Sequence, residues 1–183
     1  YDILKKNNIE FFTGVPDSLL KDFCLFIDNN TPIENHIIAC NEGSAIAIAS
    51  GSYIATGSIP LVYIQNSGLG NTINPILSLC SKRVYSLPLL ILIGWRGEPG
   101  TDDEPQHKVQ GKIQNEFLDI IGSPFWILPR NNRKMKSTMN EVIYSFKKNI
   151  CPHFLIVRKG TFIKEDDFKN KNNNGFYREN ALE

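Results

Sequence analysis

The chain has almost no charge of one sign to spare. Its 20 Lys and Arg face 19 Asp and Glu, a formal net charge of +1 over 183 residues. Without a basic excess there is no general footprint for nucleic acid or a membrane surface, and neither partner is expected. Long apolar runs are also missing. The most apolar windows, Leu87–Gly94 and Ile59–Ile64, fall far short of the ~20 residues that span a bilayer. The four cysteines, Cys24, Cys40, Cys80 and Cys151, form no C-x-x-C pair and suggest no disulfide framework. Reduced thiols in a cytoplasmic protein are therefore expected. No signal peptide, internal repeat or full G-x-G-x-x-G fingerprint is visible. The first residue is Tyr1 rather than Met, and the closing Leu182-Glu183 looks vector-derived. A piece of a longer protein is expected.

What is present is ordinary for a globular domain: 42% hydrophobic and 21% charged residues, in a length that suits one sizeable core. Short apolar runs alternate with helical patterns. Phe11–Thr13, His36–Ala39, Pro60–Gln65, Leu89–Gly94, Phe125–Leu128 and Phe154–Val157 read as buried strands. Ser18–Asn29, Gly43–Thr56, Asn71–Cys80, Val109–Ile121 and Arg133–Asn149 read as helices between them. This alternation predicts an α/β fold, with a parallel sheet of about six strands and helices on both faces. Residues 164–183 are polar and Asn-rich and read as a linker or tail.

Ligands of an open parallel sheet gather at the carboxyl ends of its strands, which selects four loops. In "CNEGS", Glu42 stands where a strand hands over to a helix. Either it serves the first helical turn, or it is held in dry surroundings for proton chemistry; the apolar residues Ile37, Ile38 and Ala39 before it favour desolvation. The small residues after it, Ala45 to Ala49, permit close approach of another backbone or simply tight helix–sheet packing. In "TGVPDS", Asp17 or Ser18 is placed to cap the next helix. "QNSGLGN" is either a tight turn or a loop whose Gln65, Asn66 and Ser67 meet a ligand. The fourth loop, "WRGEPGTDDEPQHKVQG", is long enough to be functional. It holds His107, which reads either as a site residue or as a solvated surface group. It also holds Arg96, which either reaches the strand-end crevice or pairs with Asp102, Asp103 or Glu104.

Taken together, "FFTGVPDSLL", "ACNEGSAIAIASGSYIATG", "VYIQNSGLGNTINPILSL", "LLILIGWRGEPGTDDEPQHKVQGK" and "PHFLIVRKGTF" resemble the N-terminal pyrimidine-binding domain of thiamine diphosphate-dependent 2-oxo acid decarboxylases. The likeness covers nearly the whole chain and marks residues 1–163 as that domain. It implies that Glu42 shares a proton with the pyrimidine ring, and that Asp17 and His107 relay protons at the substrate. It further implies that Gln65, Asn66, Ser67 and Gly68 line the cofactor. Arg96 is the candidate for a second anion at the far end of the substrate, which the likeness implies to be 3-phosphonopyruvate, with sulfopyruvate its rival. The family binds Mg2+ and the diphosphate through a second domain carrying "GDG", a motif missing from these 183 residues. A diphosphate-binding domain or β subunit, in a homo-oligomer, is thus the implied partner. The rival of another class is an α/β binding module that has lost the reaction, against which the presence of Glu42 argues.

Overall fold

The computed structural model describes residues 1–163; the predicted linker at 164–183 lies outside the described residues. The six strands are β1 (Phe12–Gly14), β2 (His36–Ile38), β3 (Leu61–Gln65), β4 (Leu90–Gly94), β5 (Phe125–Ile127) and β6 (His153–Val157). Every pairing is parallel, in the order β2-β1-β3-β4-β6-β5. The expected α/β class and six-stranded parallel sheet are both observed. The principal helices are α1 (Asp2–Lys6), α2 (Lys21–Asn30), α3 (Glu42–Thr56), α4 (Leu69–Pro75), α5 (Pro105–Ile121) and α6 (Asn132–Lys148).

Alternate residues of the central strands supply two cores. Val62, Ile64, Ile91, Ile93 and Ile156 meet Ala45, Ile46 and Ala49 of α3, Leu69 of α4 and Leu118 of α5. On the other face Leu61, Tyr63, Leu90, Leu92 and Leu155 meet Leu4 of α1, Ile27 of α2, and Met139, Val142 and Phe146 of α6. Cover on both faces explains why β4 and β6 are buried throughout and not alternating. Each fully buried Leu or Ile contributes about 1.5–3 kcal/mol of transfer free energy.

Three features differ from the sequence reading. Helix α1 was not predicted; one turn is too short to show a period. The helix predicted over Asn71–Cys80 begins at Leu69 as α4, and after Pro75 it continues as a π-helical turn over Ile76–Cys80. Pro75 lacks the N–H of a regular ladder, which favours such a change of register. Helix α5 starts at Pro105, four residues before the predicted Val109, because Pro suits the first helical position. That extension carries His107 into the first turn. Among the described residues no helix is long and apolar enough to cross a membrane.

The loop after β4 lies directly on α5. Trp95 Nε1 donates to the Gly111 carbonyl at 2.9 Å, and a β-carbon at Gly111 would stand only 2.6 Å from the Arg96 carbonyl oxygen. Gly111→Ala is expected to lower stability by about 1–3 kcal/mol or more. Gly51→Ala, on the exposed side of α3 with open space around it, should raise it by about 0.5–1 kcal/mol. Urea unfolding of both variants checks the pair.

Candidate functional site

The carboxyl ends of β1, β2, β3 and β4 bring the predicted loops to one edge of the sheet. At the start of α3 the cap is Asn41, whose Oδ1 accepts from the Ser44 N–H at 2.9 Å. Glu42 is therefore released from capping. Its Oε2 accepts from Asn71 Nδ2 at 2.7 Å, and its carboxylate lies flush against Gly68, where a β-carbon would overlap it. The dry surroundings expected for Glu42 are not found. Strand β2 is an edge strand, Ile38 is 61% exposed, and Glu42 itself is half-buried. An edge strand lacks a neighbour on one side, so the apolar residues before Glu42 cannot wall it off.

Asp17 has the environment that the sequence reading assigned to Glu42. It is 5% exposed, and neither carboxylate oxygen has a hydrogen-bond partner. It does not cap: the 3₁₀ turn Ser18–Leu20 and helix α2 begin without a side-chain cap bond, and the Ser18 hydroxyl accepts from Arg96 Nη1 at 2.9 Å. The Asp17 carboxylate is instead packed on Gly94 at the end of β4, where a β-carbon would displace it. Burial pushes its carboxyl above the ordinary value. The Leu19 and Leu20 N–H groups temper this without reaching hydrogen-bonding geometry, and the charges of Arg96 and His107 pull the same way.

The other candidates divide. Gln65 Nε2 donates to Ser67 Oγ at 2.7 Å and lies 3.4 Å from His107 Nδ1, which joins the third loop to α5. Ser67 is exposed, Gly68 is buried, and His107 is half-buried. Asn66 is 1% exposed. Its amide is committed at both ends to the backbone of Arg96, donating to the carbonyl at 2.8 Å and accepting from the N–H at 3.3 Å. This is a structural tie between β3 and β4, and not the ligand contact anticipated for Asn66. Arg96 forms the ion pair named as the alternative, through Nε (2.9 Å) and Nη2 (2.6 Å) to Asp103. Asp103 also accepts from the N–H of Gly97 (2.7 Å) and of Glu104 (2.9 Å). The guanidinium, with these two N–H groups, holds Asp103 far below the usual carboxylate range.

One contributor escaped the sequence reading: Asn71 is an ordinary polar residue in its own segment, and only the fold shows that it orients Glu42. Of the three acids named for Arg96, the fold selects Asp103. Among the described residues no group of three His, Cys, Asp or Glu side chains is arranged to hold a metal ion.

Residues 1–122 match the family described as thiamine pyrophosphate enzyme, N-terminal TPP binding domain, and the chain belongs to that family. Over 152 residues the chain is 29% identical to a phosphonopyruvate decarboxylase of Streptomyces viridochromogenes, covering 83% of this chain and 37% of that protein. Over 124 residues it is 35% identical to the sulfopyruvate decarboxylase subunit alpha of Methanocaldococcus jannaschii, covering 68% of this chain and 70% of that subunit. The chain thus spans little more than a third of the first relative and most of the second. Among solved structures, benzoylformate decarboxylase from Polynucleobacter necessarius superposes with a TM-score of 0.67 at 21% identity, over 89% of this chain and 29% of that one. This likeness bears on the fold alone.

A buried carboxylate with no partner costs stability. Asp17→Asn is expected to raise stability at pH 7 by about 1–3 kcal/mol. The sign follows from the raised carboxyl. Below the unfolded-state value of about 4 both states are protonated and there is no penalty; as pH rises, the unfolded state ionises first and the native protein loses ground. The gain from Asn should therefore grow between about pH 4 and pH 7. Thermal unfolding of both proteins across that range is the check.

Proposed function

We propose that the protein is the pyrimidine-binding half of a thiamine diphosphate-dependent decarboxylase acting on a 2-oxo acid with a second anion at its far end, 3-phosphonopyruvate first. The observation that carries this reading is Glu42: freed from capping by Asn41, oriented by Asn71, and left beside a residue with no side chain. A pyrimidine ring nitrogen needs a carboxyl group, fixed in orientation, to exchange a proton with. The phosphonopyruvate decarboxylase relative supports the substrate class.

Under this reading Glu42 holds or yields a proton at the pyrimidine nitrogen, and Gly68 leaves room for the Glu42 carboxylate. When bound, the cofactor supplies an electron sink for the bond broken as CO2 leaves. Asp17, its carboxyl raised by burial, serves as proton donor to the substrate carbon. His107, anchored through Gln65, polarises the substrate oxygen from the opposite side. The Nη1 edge of Arg96, beside Ser18, faces the far-end anion while Asp103 fixes the rest of the guanidinium. The diphosphate and Mg2+ belong to a diphosphate-binding domain or β subunit, and the assembled enzyme is a homo-oligomer or an αβ assembly. A second reading, sulfopyruvate as substrate with a separate β subunit, is supported by the relative that matches over most of an alpha subunit. Turnover of both substrates by the same preparation decides between them.

Glu42→Gln in the assembled enzyme is expected to slow hydrogen–deuterium exchange at C2 of bound thiamine diphosphate by about 100-fold or more with the fold intact. An unchanged rate removes Glu42 from the mechanism. Arg96→Ala should lower kcat/KM for phosphonopyruvate about tenfold more than for pyruvate. Equal losses would mean that Arg96 only braces its loop. This chain by itself should bind thiamine diphosphate weakly in calorimetry, and Mg2+ should not tighten it; tight Mg2+-dependent binding would overturn the half-site reading.

A further inference from the structure

Arg96 is the cation named for the far-end anion of the substrate, yet its charge is already met. Its Nε and Nη2 are given to Asp103. That pairing, with the N–H groups of Gly97 and Glu104, holds Asp103 as a carboxylate. The two side chains together carry no net charge. Asp17, buried without a partner, can only oppose another anion once it ionises. An anion seated on Arg96 alone would therefore meet no net positive charge, and a second cation is needed.

A cleft of about 350 Å³ beside α2 supplies one. Asp17, Ser18 and Lys21 line it together, and Lys21 is the only Lys or Arg that does. Lys21 is exposed and enters none of the ion pairs among the described residues. It opens α2 one 3₁₀ turn after Ser18, whose carbonyl accepts from the Lys21 N–H. Ser18 joins the cleft to Arg96, because its hydroxyl accepts from Arg96 Nη1 at 2.9 Å. A hydroxyl that accepts keeps its own proton to give, and none of the described residues takes that proton.

The other polar groups of the cleft do not suit an anion. Asp28 lies seven residues further along α2, about 10 Å from Lys21 along the axis. Its Oδ1 is 3.3 Å from His36 Nδ1, and His36 Nε2 is 2.8 Å from the Tyr63 hydroxyl. Those three groups are engaged with one another. Much of the remaining wall is apolar, Leu25 and Ile38 included. Only the Ser18–Lys21 end offers a free donor and a free cation.

We propose that Ser18 and Lys21, with the Nη1 edge of Arg96, form the seat of the substrate's far-end anion, and that Lys21 selects a dianion over a monoanion. This rests on the decarboxylase reading. The scale agrees: in 3-phosphonopyruvate the phosphorus is two bonds from the oxo carbon, and Ser18 follows directly on Asp17, the residue assigned to that carbon. Arg96 Nη1 and the Ser18 hydroxyl give directed hydrogen bonds, while Lys21 brings the net charge on a flexible stem. A phosphonate, like a phosphate monoester, carries close to two negative charges above pH 7, and a sulfonate carries one. Beside an apolar wall the attraction of Lys21 for the second charge is screened less than on an open surface. The choice between the two acids then turns on Lys21.

The test uses Lys21→Gln, Lys21→Arg and Ser18→Ala in the full-length enzyme at fixed pH and ionic strength. The probes are 3-phosphonopropionate and 3-sulfopropionate, which keep the far-end anion and its spacing but lack the oxo group. In titration calorimetry the wild type should bind the phosphonate about tenfold more tightly than the sulfonate. Lys21→Gln should remove most of that preference, and Lys21→Arg should keep it. Ser18→Ala should weaken both probes by a similar factor, about tenfold, because a hydrogen bond is lost and no charge. Equal weakening of both probes in Lys21→Gln, or an unchanged preference, would overturn the role of Lys21. Failure of both probes to bind the wild type would overturn the seat. In turnover, Lys21→Gln should lower kcat/KM for phosphonopyruvate about tenfold more than for sulfopyruvate; equal losses would again count against Lys21. If the wild-type enzyme decarboxylates no 2-oxo acid, the decarboxylase reading fails and the calorimetry alone decides the seat.

Discussion

The pairing of β3 with β4 is the constraint on which the site depends. Their register runs from Leu61 opposite Leu90 to Gln65 opposite Gly94. Both strands are covered on both faces, so a slip of one residue would turn every side chain to the wrong core. This register ends both strands at one level. Asn66 can then grip the Arg96 backbone, and Asp17 can lie on Gly94. The position of each candidate group follows from that edge, because every loop that carries one leaves the sheet there.

Two aspartates at this edge show how environment assigns roles. Asp103 receives a guanidinium and two backbone N–H groups and is held as a carboxylate. Asp17 receives none of these and is pushed toward the acid form. Under the proposed function one is a brace and the other a proton donor. Groups of one chemical type driven apart in this way mark acid–base work. The absence of a partner for Asp17 is unfavourable for folding, and proteins keep such features where chemistry needs them.

The site remains open on one side. Glu42, Gln65 and His107 are half-buried, Ser67 is exposed, and Ile37 and Ile38 on the edge strand β2 face outward. Under the proposed function these are the surfaces left by half of a composite site, in agreement with a chain that covers 37% of the Streptomyces relative.

The sequence by itself determined the α/β class, the six strands and the loops that hold the candidates, because alternation of short apolar runs with helical periods is a local signal. It also singled out Glu42 for proton chemistry, while the proton roles of Asp17 and His107 came only from the family resemblance. It misjudged their surroundings. The apolar residues before Glu42 suggested dryness, but whether they shield it depends on β2 being an edge strand, a property of strand order and not of the segment. Asp17 looked like a cap, yet a close approach to Gly94 takes its carboxylate elsewhere. Asn71 with Glu42, Asp103 with Arg96, and His36 with Tyr63 are contacts that only the tertiary structure decided. Hydrogen bonds between side chains far apart in sequence leave no periodic trace, and they form only once parallel strands have set their register.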